Sequence, residues 1–118
     1  MYSRIIAGTM KWGLWGARFD TAAYEQMIND CHAAGVTSFD HADIYGDYTT
    51  EQDFGKVLQQ QPSLRQQIQI VTKCGIQMAS ANRPHHKIKS YDTSYEHIIE
   101  SVEQSLSNLA TDYIDCLL

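Results

Sequence analysis

Basic residues, cysteines and long apolar runs are all scarce in this sequence of 118 residues. Nine Lys and Arg residues stand against fourteen Asp and Glu residues, which gives a net charge of -5. That balance argues against nucleic acid or an anionic membrane as a partner, because both bind a basic surface. No apolar run approaches the roughly 18 residues of a membrane span. The first residues, MYSRIIAGTMKWG, lack the apolar region of a signal peptide, so we expect a cytoplasmic protein.

The cysteines and histidines do not form a pattern typical of a disulfide framework or a metal site. Cys31, Cys74 and Cys116 are odd in number and far apart, which predicts reduced thiols. His85 and His86 are adjacent on a polar loop, where neighbouring side chains point in different directions, and we predict no metal there. A hydrophobic fraction of 43% with 19% charged residues is typical of one small globular domain.

Short apolar runs alternate along the chain with helical patterns. The runs predict strands at residues 4–10, at about 36–39, at 68–73 and at 113–118. A long polar stretch, QMASANRPHHKIKSYD, follows the third strand and is expected to cross the surface instead of making a tight turn.

Three helices are predicted between these strands, each from an apolar stripe and its end signals. The first begins after an N-cap at Asp20 and ends near Gly35. The second stops before Pro62, and the third begins at a capping box formed by Thr93 and Glu96. In chain order, the stripes are Tyr24, Met27, Ile28 and Cys31; Phe54, Val57 and Leu58; and Ile98, Val102, Leu106 and Leu109.

The alternation of strands and helices predicts a parallel sheet with right-handed crossovers. An open doubly wound sheet and a (β/α) barrel both satisfy this pattern. No Gly-x-Gly-x-x-Gly follows the first strand, which argues against a dinucleotide-binding Rossmann half. A barrel needs about 250 residues, and the sequence ends within an apolar run, DCLL, that no helix covers. We therefore expect residues 1–118 to be the N-terminal portion of a longer single domain, ending after strand four.

Three polar residues are predicted at the carboxyl ends of neighbouring strands, where parallel α/β folds gather their chemistry. Asp40 ends the second strand, Tyr45 lies in the following loop, and Lys73 ends the third strand. An ammonium beside a phenol favours the phenolate, and a carboxylate beside the ammonium keeps it charged and in place. The pattern therefore predicts a tyrosine that acts as a general acid. Asp43, close by, is expected to be a turn residue.

Four segments, in order, resemble the aldo-keto reductase family. FDHADIYGDYTTEQDFGKVL is similar to its Asp-x-Ala-x-x-Tyr-Gly signature, and IVTKCG resembles the segment that carries its lysine. IIAGTMKWG is similar to its first strand, and SLSNLATDYIDCLL to its helix before strand four. The likeness is strongest to a bacterial subgroup of oxidoreductases that carry DHADIYG-type segments.

The resemblance implies an eight-stranded (β/α) barrel that reversibly reduces aldehydes or ketones with NADP(H). Tyr45 matches the family's proton donor, and Lys73 and Asp40 match the pair that tunes it. Thr9 and Met10 match positions that line the nicotinamide end of the pocket, and Asp40 also matches a contact to the nicotinamide ribose. Hydride would pass from nicotinamide C4 to the carbonyl carbon while the tyrosine protonates the carbonyl oxygen.

Other positions are assigned less directly by the resemblance. Trp12 and Trp15 are predicted either to wall the substrate pocket or to anchor the first loop. His41 stands where the family commonly has Thr or Ser, and we read it as a neighbour of the site without a role. The family's catalytic histidine follows strand four and has no counterpart here among His32, His41, His85, His86 and His97.

This chain alone is therefore expected to be inactive, and to associate with a second copy or with a C-terminal half. Two alternatives stay open: a non-catalytic, cofactor-binding regulatory subunit of the same fold, or a truncated product without function.

Overall fold

A computed structural model describes every residue from Met1 to Leu118. The elements, in chain order, are β1 (Ile6–Gly8), α1 (Thr21–Ala33), β2 (Ser38–Asp40), α2 (Tyr45–Tyr48), α3 (Thr50–Gln60), a 3-10 helix (Pro62–Gln67), β3 (Gln69–Thr72), β4 (Ile76–Gln77), β5 (Ser90–Tyr91), α4 (Tyr95–Leu109) and β6 (Cys116–Leu117). No helix among them combines the length and apolar character needed to cross a membrane.

The order of the strands decides between the two architectures that the sequence leaves open. β1, β2, β3 and β6 pair in parallel and lie side by side in the order of the chain. Right-handed crossovers that always step in one direction place all of their helices on the same face of the sheet. A doubly wound sheet reverses direction and has helices on both faces. The winding is that of a (β/α) barrel, of which these strands form the N-terminal half.

The strand register divides the side chains between a helix-covered face and an inner face. Ala7, Phe39 and Ile70 lie level across β1, β2 and β3, and they pack into the core beneath the helices. Because side chains alternate along a strand, the next residues face the inner side, as Asp40 does on β2. The inner face is covered unevenly, since Ile6 on β1 is 48% exposed and Val71 on β3 is 6% exposed.

Most of the predicted helix signals are confirmed. The Asp20 carboxylate accepts a hydrogen bond from the Ala23 amide at 2.9 Å, and Gly35 follows α1 with a φ of +79°. The predicted capping box of α4 is wrong by one residue. Ser94 is the N-cap, and its own amide donates to the Asp92 carboxylate, which holds Ser94 outside the helix.

Small residues bring α3 and α4 unusually close together. A Cβ atom added to Gly55 would lie 2.0 Å from the carbonyl oxygen of Asn108. On α4 the buried positions facing this contact include Ser101 and Ser105 as well as the predicted Leu109. The rest of the predicted apolar stripe is half-buried, namely Ile98, Val102 and Leu106. Apart from Leu109, the side of α4 that packs on the core is therefore not the predicted apolar stripe. It is a row of small residues, Ser101 and Ser105 on α4 with Gly55 on α3, called the seam below.

The polar stretch after β3 crosses the surface as predicted. Within it, β4 and β5 pair antiparallel and form a small hairpin separate from the main sheet. Residues 76–91, called the hairpin segment below, pack against the turn at residues 46–48.

Candidate active site

Lys73 brings the three predicted site residues together at the carboxyl ends of β2 and β3. Its Nζ lies 2.7 Å from Asp40 Oδ1 and 3.3 Å from the Tyr45 hydroxyl oxygen. A further acceptor is the backbone carbonyl of His41, also at 2.7 Å from Nζ. The Lys73 and Asp40 side chains are 31% and 30% exposed, so a ligand at the inner face can reach the pair.

This geometry has a direct chemical meaning. Two short hydrogen bonds, to Asp40 and to the His41 carbonyl, hold the Lys73 ammonium in a fixed position. The ammonium then stands 3.3 Å from the Tyr45 hydroxyl oxygen, within hydrogen-bond reach of it. The arrangement can therefore support a tyrosine as proton donor.

An unusual backbone turn follows Tyr45. Gly46, Asp47 and Tyr48 all have left-handed φ values, of 61°, 54° and 70°. Left-handed backbone in non-glycine residues costs on the order of 1–3 kcal/mol each and persists where surrounding contacts enforce it. The hairpin segment supplies such contacts: the Met78 amide donates to the Tyr48 hydroxyl at 2.8 Å, and Asn82 Nδ2 donates to the Asp47 carbonyl at 2.9 Å.

The two tryptophans, for which the sequence left two roles open, lie in different surroundings. Trp12 packs among core rings, with its centroid 5.8 Å from that of Tyr24 and 6.1 Å from that of Phe39, so it anchors the first loop. Trp15 instead lies against the site, with its ring centroid 6.2 Å from that of Tyr45. Its indole N–H lies 3.4 Å from Asp47 Oδ1.

The residues expected to contact a nicotinamide cofactor differ in how far their side chains are exposed. Met10, two residues beyond the end of β1, is 41% exposed, and Asp40 has a second carboxylate oxygen that the Lys73 pair does not use. Thr9 does not fit in the same way, because its side chain is fully buried. Its hydroxyl oxygen lies 3.0 Å from the Asp40 carbonyl oxygen and 3.0 Å from His41 Nδ1, on the side of the sheet that the helices cover.

Behind the site lie two acidic residues whose burial the sequence did not reveal. Burial and, to a smaller extent, the charge of nearby Glu51 raise the pKa of Asp43 to about 7. Burial also raises the pKa of Glu51, whose Oε1 accepts a hydrogen bond from the Thr72 hydroxyl at 2.6 Å. Asp43 was predicted as a turn residue, and its amide does bond across to the Lys73 carbonyl at 3.0 Å. Its partial burial comes from contacts distant in sequence.

The raised pKa of Asp43 predicts a loss of stability as the pH rises. Between its ordinary value of 3.8 and about 7, the carboxyl keeps its proton in the folded protein and loses it in the unfolded chain. Folding then takes up a proton, so the free energy of unfolding falls with rising pH, by at most about 1.4 kcal/mol per unit. Solvent screening and the favourable charge of Arg83 act on the folded-state pKa, so they narrow the pH range over which this slope applies.

Asp43→Asn removes the titrating carboxyl and is expected to make the free energy of unfolding depend less on pH. Urea unfolding of both proteins at a series of pH values measures the two slopes. A residual slope of the same sign is expected from Glu51, whose carboxyl is also buried. Identical slopes in the two proteins would contradict the assignment to Asp43.

Comparison with known proteins finds similarity to one family along almost the whole chain. A model of the Aldo/keto reductase family matches residues 4–118. An uncharacterized oxidoreductase of Bacillus subtilis, YcsN, is 50% identical over 117 residues, which cover 99% of this chain and 38% of that protein. A 6-dehydroglucose reductase of Agrobacterium fabrum is 44% identical over 120 residues, covering 98% of this chain and 39% of that protein.

Solved structures give the same result. An aldo-keto reductase from Bacillus halodurans, in its holo form, superposes with a TM-score of 0.77 at 29% sequence identity. The superposition covers 98% of this chain and 35% of that one. The chain thus spans about two-fifths of the length of the relatives it matches.

Proposed function

The chain belongs to the aldo/keto reductase family, and from that premise we propose that it contributes the proton-donor half of an NADPH-dependent reductase of aldehydes or ketones. The supporting observation is the contact of Lys73 Nζ with both Asp40 and the Tyr45 hydroxyl. In this proposal, residues 1–118 are the N-terminal portion of a single barrel domain.

Each residue has a distinct task in the proposed reaction. Tyr45 donates its hydroxyl proton to the carbonyl oxygen as negative charge develops there. Lys73 stabilises the resulting phenolate, and Asp40 holds the Lys73 ammonium in place. Trp15 lies beside the Tyr45 ring and would form one wall for the substrate.

NADPH, when bound, would supply the hydride that reduces the carbonyl carbon. Asp40 would accept a hydrogen bond from the nicotinamide ribose through the carboxylate oxygen that does not face Lys73. Met10, partly exposed beside the site, would pack against the nicotinamide end. Thr9 would contribute through its backbone bonds and not through its side chain.

The open inner face predicts how the isolated chain behaves. Apolar side chains such as Ile6 are exposed there, and burial of apolar surface contributes about 25 cal/mol per Å². We propose that this face pairs with a C-terminal half of the same barrel, or with a second copy of the chain. The isolated chain is then expected to bind NADPH more weakly than micromolar, because most of the barrel rim is contributed by other strands.

Fluorescence titration of NADPH into the 118-residue chain measures this affinity. Trp15 lies beside Tyr45 and provides the signal. Saturation with a Kd at or below micromolar would contradict the expectation that a complete rim is needed.

The activity itself is best tested in a completed barrel. Residues 1–118 replace the matching segment of the 50%-identical Bacillus subtilis relative, which supplies the remaining strands. This chimera, called the completed barrel below, is assayed for NADPH oxidation with a panel of aldehydes and ketones. The panel includes 6-dehydroglucose, after the name of the Agrobacterium relative. Carbonyl-dependent NADPH oxidation supports the proposal. Cofactor binding without turnover of any carbonyl, while the parent relative is active, would contradict it.

A further inference from the structure

The imidazole of His41 lies on the side of the sheet opposite to the reacting groups. Its side chain is fully buried, and its ring meets the Phe54 ring edge-on at a centroid distance of 4.5 Å. The alternation of side chains along β2 explains this, because Asp40 faces the inner side and the next residue must face the helices. Read as a neighbour of the site from sequence, His41 is instead a core residue with polar contacts.

The hydrogen bonds around Thr9 indicate which nitrogen of His41 carries the proton. Thr9 Oγ1 lies 3.0 Å from the Asp40 carbonyl oxygen and 3.0 Å from His41 Nδ1. A hydroxyl has one proton to donate. If that proton goes to the Asp40 carbonyl, Nδ1–H donates to Oγ1 and both contacts are hydrogen bonds. If it goes to Nδ1, two acceptor oxygens face each other without a proton between them.

The backbone of His41 meets the site directly. Its carbonyl oxygen accepts from Lys73 Nζ at 2.7 Å, and the carbonyl of Asp40 accepts from both the amide and the hydroxyl of Thr9. The imidazole and the ammonium are thus joined to opposite sides of one short backbone segment. Thr9 Oγ1 links the ring to this segment, since it contacts His41 Nδ1 on one side and the Asp40 carbonyl oxygen on the other.

We propose that His41 is a positioning residue: as the neutral Nδ1–H tautomer it fixes Thr9 against the Asp40 carbonyl, and so holds Asp40 and the His41 carbonyl where Lys73 binds them. The kinetic part of this inference rests on the proposed reductase function, whereas the tautomer does not. Burial and, to a smaller extent, the Lys73 charge lower the pKa of His41 to about 3, so the ring is neutral near pH 7.

Two substitutions separate the hydrogen bond from the volume of the ring. In His41→Asn the side-chain amide nitrogen can take the place of Nδ1 and donate to Thr9. In His41→Gln the side chain fills the cavity better, but its amide is placed near Nε2, which has no partner here. A role in packing alone predicts that Gln is the better replacement, and the positioning role predicts Asn.

The measurement is kcat, KM and the NADPH Kd for the completed barrel. We expect His41→Asn to keep most of kcat and of the NADPH affinity. We expect His41→Gln to lose roughly tenfold to a hundredfold in kcat, as for displaced reacting groups, and to bind NADPH more weakly, because Asp40 is also the proposed contact to the nicotinamide ribose. Equal activity of the two variants, or higher activity of His41→Gln, would overturn the proposal.

A spectroscopic measurement tests the tautomer independently of catalysis and of how the variants fold. In the 118-residue chain with ¹⁵N-labelled histidine, the ring nitrogen shifts of His41 distinguish a protonated Nδ1 from a bare one. We expect Nδ1 to be protonated and Nε2 bare, without change near neutral pH. A protonated Nε2 would overturn the inference while leaving the reductase function intact. An inactive completed barrel with the expected tautomer would instead contradict the function.

Discussion

Replacing Tyr45 with phenylalanine is expected to lower kcat of the completed barrel by at least about a hundredfold, the usual contribution of a general acid. The hydroxyl that the substitution removes is the one 3.3 Å from Lys73 Nζ. The Phe ring can still pack near Trp15, whose centroid is 6.2 Å from that of Tyr45, so the pocket keeps its shape. The Kd for NADPH should therefore remain within about twofold of the unmodified protein.

The matched control for this substitution is Tyr91→Phe. Tyr91 is 71% exposed at the end of the hairpin segment, and the bonds from that segment to the turn come from Met78 and Asn82, so loss of the Tyr91 hydroxyl should leave turnover unchanged. Steady-state rates of NADPH oxidation, with cofactor titrations of the same samples, give both quantities. Turnover by Tyr45→Phe close to that of the control would remove the proton-donor role.

Gly55→Ala is expected to destabilise the completed barrel by about 1–3 kcal/mol, or more, the usual cost of overpacking a filled interior. The added methyl group would lie 2.0 Å from the Asn108 carbonyl oxygen and 2.9 Å from the Leu109 carbonyl carbon. These are backbone atoms, which cannot rotate away as a flexible side chain would. The helices α3 and α4 must separate, and buried contacts along the seam are lost.

Ser107→Ala provides the control, because it changes a small residue on the exposed side of α4. A surface substitution of this kind usually alters the free energy of unfolding by less than about 0.5 kcal/mol. Urea midpoints at constant slope measure the two effects on the free energy of unfolding. A midpoint for Gly55→Ala equal to that of Ser107→Ala would show that the helices adjust without cost.

Local patterns in the sequence predicted much of the fold because they reflect local forces. Asp20 caps α1 and Gly35 follows its end, since both act within a few residues of chain. The error at α4 is of the same local kind: three candidate caps stand in a row, and the Asp92 carboxylate selects Ser94 over Thr93. The choice of barrel over doubly wound sheet needed the strand order, which no local pattern contains.

The site was predictable to the extent that parallel strands place their carboxyl ends together. Asp40, Tyr45 and Lys73 were identified for that reason, and the structure brings them within contact. The row of side chains directly behind them was missed. Thr9, His41 and Thr72 are polar but fully buried toward the helices. Polar residues on a strand suggest exposure, and their partners, such as Glu51, come from distant parts of the chain.

The left-handed turn at Gly46–Tyr48 makes the working position of Tyr45 conditional on later residues. Tyr48 is held by the Met78 amide at 2.8 Å and lies under the Arg83 guanidinium, 4.3 Å from its ring centroid. During synthesis, Tyr45 leaves the ribosome before the hairpin segment exists, so its hydroxyl is set in place after its own strand has been made. A proteolytic nick between β4 and β5 would leave the main sheet and its helices uncut while cutting the segment that holds the turn. The hairpin segment thus ties the position of Tyr45 to a loop outside the main sheet.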